Sequence, residues 1–484
     1  MTTRGDRFIS SLQDGRKVWL DGRQVESVAD HPAFRGTLQT IKRLFDMVDD
    51  PAVRDEVGYK AEGRTDYWHS SFLVPYSRDD LDRRNRAFTA WAKGTHGVMS
   101  RLSDYARTYI TSWYGARKEL GQLHPHLEHK ITSYYKEARE NDLFLTTAAA
   151  DPQIDRSRGL DDGRNADRYL HVVRETSEGI VVRGAKMIAT GAPYTHDFII
   201  NSVQPVESHR QHALLMIVPA NSPGLHIICR ESFAELSDQE HPLSSRYEEM
   251  DAVLVFDDVL VPWERVLLYG DPAAIIKVRD FHTTRSLAFH HAGVRLLAKL
   301  EFVTGVAFAV AESIGAESFL HVKQKLGELL IQVHTVRGLL VASEAEAKPD
   351  ASGILVPAYS YIETAKNIGS TFYPRAIEIL QQVGGGGFMQ PPSGFANFEG
   401  PFASLVERYF EGANVGAAKK VQLFKLAWDL VGSQLGSRHE LYERFYAGDP
   451  IRGYANQYIG EPKAYYTDPV WKLLAETEPA LLRK

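Results

Sequence analysis

Residues 143–159, LFLTTAAADPQIDRSRG, and 178–204, EGIVVRGAKMIATGAPYTHDFIINSVQ, decide the fold: here strand-like runs broken by turns replace the helical spacing found on both sides. They form the middle layer. In the first half a β-prone run ends at Asp151-Pro152, and the following Gln153, Ile154, Asp155 and Arg156 offer backbone N–H groups and a guanidinium to an anionic or heterocyclic ligand. The second half carries Gly184, Thr190 and Gly191, a hydroxyl among small residues at a strand end, where a flat ring can approach the backbone and receive a hydrogen bond.

Working outward, the strand-like texture fills 143–270, in runs such as RYLHVVRE, ALLMIVPA, LHIICRE and AVLVFDDVLV. Residues 161–168 and 231–246 read as loops, the second a candidate lid. Upstream, RKVWL and RQVES flank Asp21-Gly22, a two-residue hairpin signal, and Pro32 opens a helix with Phe34, Leu38, Ile41, Leu44, Phe45 and Val48 at helical spacing. Further helices are predicted near 78–96, 103–118 and 126–140. Downstream, periodicity predicts long helices over 284–313, 318–347, 357–383 and 401–447, interrupted by Gly384 to Gly387. The expected division is 1–142, mainly helical with a small hairpin; 143–270, a β domain; and 271–484, a helix bundle. That is an α+β fold, mainly α.

With 44% hydrophobic and 24% charged residues, the 484-residue chain has the make-up of a large globular protein. A net charge of −6 without a basic run argues against nucleic acid. The N-terminal stretch has no apolar segment of signal-peptide type and no run reaches membrane-spanning length, so a cytoplasmic location is expected. Cys229 is the single cysteine, which excludes internal disulfides and Cys-ligated iron–sulfur or zinc sites. His290-His291 and His124-Pro125-His126 lack a carboxylate or cysteine at ligand spacing, so no metal is expected.

The central residues, together with LQDGRKVWLDGRQVESVADHPAF at 12–34, DAVLVFDDVLVPWERV at 251–266 and LYERFYAGDP at 441–450, resemble the 4-hydroxyphenylacetate 3-hydroxylase family, the oxygenase components of two-component flavin monooxygenases. The resemblance implies an acyl-CoA dehydrogenase-like fold, with flavin between the β domain and the C-terminal bundle and an oligomer, usually a tetramer, completing the site. It implies FAD used in reduced form, supplied by a separate NAD(P)H:flavin reductase, and O2 as co-substrate. A flavin C4a-hydroperoxide would hydroxylate a phenolic or heteroaromatic ring, free or carrier-bound.

The same resemblance places flavin contacts on Gln153, Ile154, Asp155, Arg156 and Thr190, and on the turn Ala447, Gly448, Asp449, Pro450. It places substrate contacts on Arg101 and Tyr105 of the block RLSDY, and on Thr147, Ser202 and Val203. Arg101 and Tyr105, four apart, would converge on one substrate oxygen from one helix face. Read without the family, Thr190 is a strand-end hydroxyl and Arg101 a surface charge. Relatives carry Leu-Thr-His-Ala where this chain has Leu145-Thr146-Thr147-Ala148. A histidine can take a phenolic proton near neutrality and a threonine cannot, so the expected substrate is more acidic than a simple phenol, or needs no deprotonation. The rival reading is an acyl-CoA dehydrogenase-like enzyme acting on a thioester, with Glu411 of ERYFEGANVG as base.

Overall fold

The computed structural model describes residues 2–477 except 61, 62, 64, 156, 161 and 204. The chain begins with α1 (Arg4–Ser11), closed by a capping box between Thr3 and Asp6. Strands β1 (Lys17–Leu20) and β2 (Arg23–Gln24) follow. Asp21 and Gly22 both have positive φ, 52° and 73°, as a type I′ turn requires. The predicted hairpin is there, and its partner is non-local: β1 runs parallel to a strand some 200 residues on, Val18 opposite Ile227.

The four longer helices that follow in the first segment are α2 (Pro32–Asp46), α3 (Arg78–Gly94), α4 (Ser103–Gly115) and α5 (Leu127–Glu140). Next come β3 (Leu145–Ala148), β4 (His171–Glu175), β5 (Gly179–Thr190), β6 (Asp197–Asn201), β7 (Leu214–Pro219), β8 (Leu225–Cys229), β9 (Asp251–Pro262) and β10 (Val266–Tyr269). They form two sheets, ordered β2-β1-β8-β9-β5-β4 and β10-β7-β6-β3. Val18, Ile180, Ile227 and Leu254 of the first sheet share a core with Phe198, Ile200 and Met216 of the second. The other face of the second sheet, Leu145, Ile199, Leu215 and Ile217, packs against Ile110, Trp113, Ile131 and Tyr135 of α4 and α5. Burial on both faces explains the unbroken apolar runs of β6 and β7. In the first half of β9, by contrast, intermediate and buried residues alternate.

The last segment is helical: α6 (His282–Ser313), α7 (Leu320–Ala345), α8 (Tyr359–Gly384), α9 (Ala403–Phe410), α10 (Ala417–Val431), α11 (Gln434–Phe445), α12 (Pro450–Gly460) and α13 (Lys463–Glu476). The single helix predicted over 401–447 is three. Glu411 leaves helical geometry with ψ 144°, and Gly432 ends α10 before Ser433 caps α11 through the Gly436 N–H. Residues 163–168 of the predicted 161–168 loop make a helical turn, whereas 231–246 is irregular as expected. The second loop is pinned at its end: Asp429 of α10 accepts the Leu243 and Ser244 N–H groups at 2.9 and 3.0 Å. No helix among the described residues is long and apolar enough to cross a membrane.

Candidate active site

Thr190 is the last residue of β5, and a bulge just before it shapes the surroundings. The ladder with β9 shifts between Ala189 and Lys186, and Ile188 takes φ +59°, a strained value for a β-branched residue. Freed from β9, the Met187 N–H donates instead to Ala150 O at 2.9 Å. The segment leaving β3 is thereby laid beside β5, and Lys186 fixes it through Ala149 O and Asp151 at 3.0 and 2.6 Å. Gln153, Ile154 and Asp155 continue from this segment; Arg156 lies outside the described residues. Thr146 of β3 donates to Thr190 O at 2.8 Å, and its neighbour Thr147 is half-buried. After Thr190 the chain turns at Gly191, φ +77°, where a Cβ would come within 3.0 Å of the Tyr194 ring.

The Thr190 hydroxyl donates to Asp251 Oδ1 at 2.6 Å. Arg438 of α11 grips the same carboxylate from both nitrogens, Nε to Oδ2 at 3.0 Å and Nη2 to Oδ1 at 2.8 Å, and gives Nη1 to Glu249 at 2.9 Å. Arg230 adds a further bond to Asp251 at 3.1 Å. Burial would raise the Asp251 carboxyl; Arg438 and Arg230 outweigh it and hold it well below the usual carboxylate range. Glu249 in turn accepts the Arg101 backbone N–H at 2.6 Å. One guanidinium thus links the strand end at Thr190 to the entry of α4 at Arg101.

Arg101 precedes α4 rather than lying within it, and Leu102 is the N-cap. The two side chains are nonetheless in contact: the Arg101 guanidinium lies 4.0 Å over the Tyr105 ring, with Tyr442 and Tyr446 at 5.6 and 5.7 Å. Its Nη2 donates to Tyr446 O at 3.3 Å, and its Nη1 is buried without a hydrogen-bond partner. Tyr105 and Tyr109 share a hydrogen bond at 3.1 Å. Behind them Glu443 of α11 is clasped by Arg295 and Lys299 of α6 at 2.5 and 2.8 Å. Burial pushes the Glu443 carboxyl up, but these cations prevail and hold it at about 2.

The turn Ala447 to Pro450 directly follows Tyr446, with Gly448 at φ +94° and Asp449 capping α12. The Arg101 guanidinium reaches the residue before this turn, Tyr446, through its carbonyl. Ser202 and Val203 stand apart at the end of β6. The Ser202 hydroxyl is used within the sheet, donating to His212 O and accepting from Leu214 N–H, and the Val203 carbonyl receives the Arg279 guanidinium. Neither is tied to the Thr190–Arg101 network. His290 and His291 each meet a carboxylate, Glu344 at 2.7 Å and Asp104 at 3.0 Å. Glu411 is exposed at the end of α9, and the adjoining Ala413 bonds to Ser313 O. That is roughly 27 Å along α6 from Arg295 at 1.5 Å per residue, so the rival base is remote from this site within the chain.

Asp251, Glu249 and Arg438 were not singled out from the sequence. A signal existed for one of them: Arg438, Tyr442 and Tyr446 recur every four residues on one helix face, and the two rings stack with centroids 5.2 Å apart.

The arrangement fits a flat, polar-edged ring carrying negative charge. Asp251, Glu249 and Glu443 are matched by Arg438, Arg230, Arg295 and Lys299, whereas no carboxylate among the described residues meets the Arg101 guanidinium. His439 adds a buried imidazole with both nitrogens unpartnered, held neutral by burial and by Lys299 and Arg438.

Comparison with known proteins agrees over almost the whole length. The 4-hydroxyphenylacetate 3-hydroxylase N-terminal model matches residues 4–268 and the C-terminal model matches 279–475. The 4-hydroxyphenylacetate 3-monooxygenase oxygenase component of Thermus thermophilus is 36% identical over 99% of this chain and 98% of its own length. The 4-nitrophenol 2-monooxygenase oxygenase component of a Rhodococcus species is 34% identical over 92% of this chain and 86% of its own. A crystal structure of a 4-hydroxyphenylacetate 3-monooxygenase oxygenase component, complexed with FAD and 4-hydroxyphenylacetate, superposes with a TM-score of 0.93 at 36% identity, covering 98% of both chains. The fold is acyl-CoA dehydrogenase-like. With both halves matched in order and the fold shared end to end, the chain belongs to the 4-hydroxyphenylacetate 3-hydroxylase family.

Proposed function

We propose that the protein is the oxygenase component of a two-component aromatic monooxygenase, using reduced FAD from a separate NAD(P)H:flavin reductase, and O2, to hydroxylate a phenolic or heteroaromatic ring. The observation that carries this reading is the Arg101 guanidinium, enclosed by Tyr105, Tyr442 and Tyr446, with Nη1 unpartnered and no carboxylate against it among the described residues. A buried cation in that condition is stabilised by an anionic or strongly polar ligand oxygen. Arg101 holds the substrate oxygen over Tyr105. Thr190 faces the flavin ring near N5, and 153–156 with 447–450 hold the rest of the cofactor. When bound, the flavin supplies the electrons that activate oxygen. The protein's own part is to orient both rings and exclude water.

Thr147 lines the ring pocket without serving as a base, so the favoured substrate is a phenol that ionises readily, free or on a carrier protein. The Rhodococcus relative, named for 4-nitrophenol, supports that choice, since a nitro group acidifies its phenol. We assign residues 1–142, 143–270 and 271–484 to three domains, with the flavin between the second and third. The chain assembles as a tetramer in this reading; association of some kind is supported by the tail, where Tyr458, Ile459, Tyr465, Tyr466 and Trp471 of α12 and α13 are between 60 and 76% exposed. A cytoplasmic site of action matches a diffusible reduced flavin.

The test is to mix the protein with anaerobically reduced FAD and a phenol, then admit oxygen. Hydroxylated product carrying label from 18O2 is expected. Arg101→Ala keeps flavin oxidation but releases peroxide in place of product, and weakens substrate by about ten- to a hundredfold, the worth of one charge-assisted hydrogen bond. Wild-type coupling in Arg101→Ala removes Arg101 from the site. Flavin that stays bound and is reduced by an acyl-CoA thioester, with no phenol hydroxylated, would falsify the monooxygenase reading.

A further inference from the structure

The hydrogen bond from Thr190 to Asp251 has a direction, and that direction chooses between two forms of flavin. Asp251 carries the Arg438 fork at 3.0 and 2.8 Å and Arg230 at 3.1 Å, so it is an ionised carboxylate and only accepts. The proton on the 2.6 Å contact therefore belongs to Thr190 and is committed to Asp251. One lone pair of the Thr190 oxygen looks toward Arg438 Nη2 at a long 3.5 Å. Toward any ligand Thr190 has only the other lone pair to offer, and it is an acceptor. At N5, reduced flavin carries a hydrogen and donates, whereas oxidised flavin has a bare lone pair and accepts.

We propose that Thr190, Asp251 and Arg438 form a redox-state filter: by taking the hydroxyl proton, Asp251 makes Thr190 an acceptor that welcomes the N5–H of reduced FAD and repels the bare N5 of oxidised FAD. This rests on the reading that Thr190 faces N5. Asp251 and Arg438 are positioning residues, acting through Thr190. The filter also gives direction to turnover: once the flavin is oxidised its bond to Thr190 is lost, and the cofactor leaves for the reductase as a co-substrate should.

Dissociation constants for reduced FAD, measured anaerobically, and for oxidised FAD test the filter without any turnover. The wild-type protein is expected to prefer reduced FAD. Thr190→Val removes the acceptor and weakens reduced FAD about tenfold, the share of one hydrogen bond, with oxidised FAD unchanged or tighter. Asp251→Asn presents an N–H to Thr190, frees the hydroxyl proton to point at N5, and collapses the preference by at least about tenfold. A preference that falls in Thr190→Val but survives in Asp251→Asn overturns the filter and leaves the monooxygenase reading standing. Unchanged affinities in Thr190→Val overturn it by removing Thr190 from N5, and no flavin bound in either state overturns both. Raman spectra of oxidised FAD on the wild-type protein give a measure independent of whether Asp251→Asn folds. An N5 stretch without a donated hydrogen bond supports the filter, and a hydrogen-bonded N5 overturns it.

Discussion

At the scale of single residues, Thr147 stands where the resemblance leads one to expect a histidine. It is half-buried on β3 beside Thr146, whose hydroxyl is spent on Thr190 O. Two of the three phenols around the Arg101 guanidinium are no substitute for an imidazole: burial raises Tyr442 to about 12 and Tyr446 higher still, so neither of these is a base at neutral pH. The wild-type rate should therefore climb as the phenol substrate becomes more acidic. Thr147→His should lift the rate on weakly acidic phenols by at least about tenfold, a fraction of what a positioned base supplies. Rates across phenols of graded acidity at fixed pH, for both proteins, decide it: a flat wild-type profile with no gain in Thr147→His means the position has no bearing on deprotonation.

At the scale of elements, His196 couples α1 to the strands that carry the site. Its Nδ1 accepts the Phe144 N–H at 2.7 Å, because a backbone amide can only donate, so the ring is neutral with its proton on Nε2, 2.7 Å from Ser11 Oγ. Burial, then Arg16 and Arg107, lower its pKa from 6.5 to about 4; Asp14 and Asp142 oppose them. The folded value lies below the unfolded one, so the unfolded chain takes up the proton first. Stability is complete above pH 6.5 and drains away as pH falls toward 4. At pH 5 this one residue costs about 2 kcal/mol. His69, lowered to about 3 by burial and Arg107, adds a slope of the same sign. Denaturant midpoints at pH 5, 6 and 7.5 should drop on acidification in the wild type and drop less in His196→Asn, whose Oδ1 can still accept from Phe144. Equal slopes in the two proteins count against His196.

For the whole molecule, the C-terminal tail is the part a single chain leaves unfinished. Asn367 and Gln457 dock α12 on α8 at 2.7 Å, but α13 leaves Tyr465, Trp471 and Leu473 facing outward. An apolar helix face of this kind is a candidate for the interface of the proposed tetramer. If the proposed tetramer assembles through this face, deleting residues 461–484 should yield smaller species in sedimentation velocity while the circular-dichroism spectrum keeps its helical form. An unchanged sedimentation coefficient after correction for mass excludes the tail from assembly.

What the sequence by itself determined is local or recurrent. Asp21-Gly22 gives the hairpin, Pro32 and the four- and three-residue spacing of Phe34, Leu38 and Ile41 give α2, and the blocks around Thr190, Arg101 and Tyr446 give the family. These readings hold because a turn or a helix face is set by residues within a few positions of one another. The break of 401–447 into three helices is not legible in the spacing, since the chain leaves one helix at Glu411-Gly412, starts the next at Gly416 and ends it at Gly432 only where Ser313 O accepts the Ala413 N–H and Ser433 caps the helix that follows. Only the tertiary structure decided that β1 would join β8, or that Arg438 would close on Asp251 and Thr190, 187 and 248 residues away. Those partners are chosen by burial. A carboxylate in a half-dry site must find a cation, and which cation arrives depends on how α11 packs against the β5–β9 edge, which no spacing in the chain encodes.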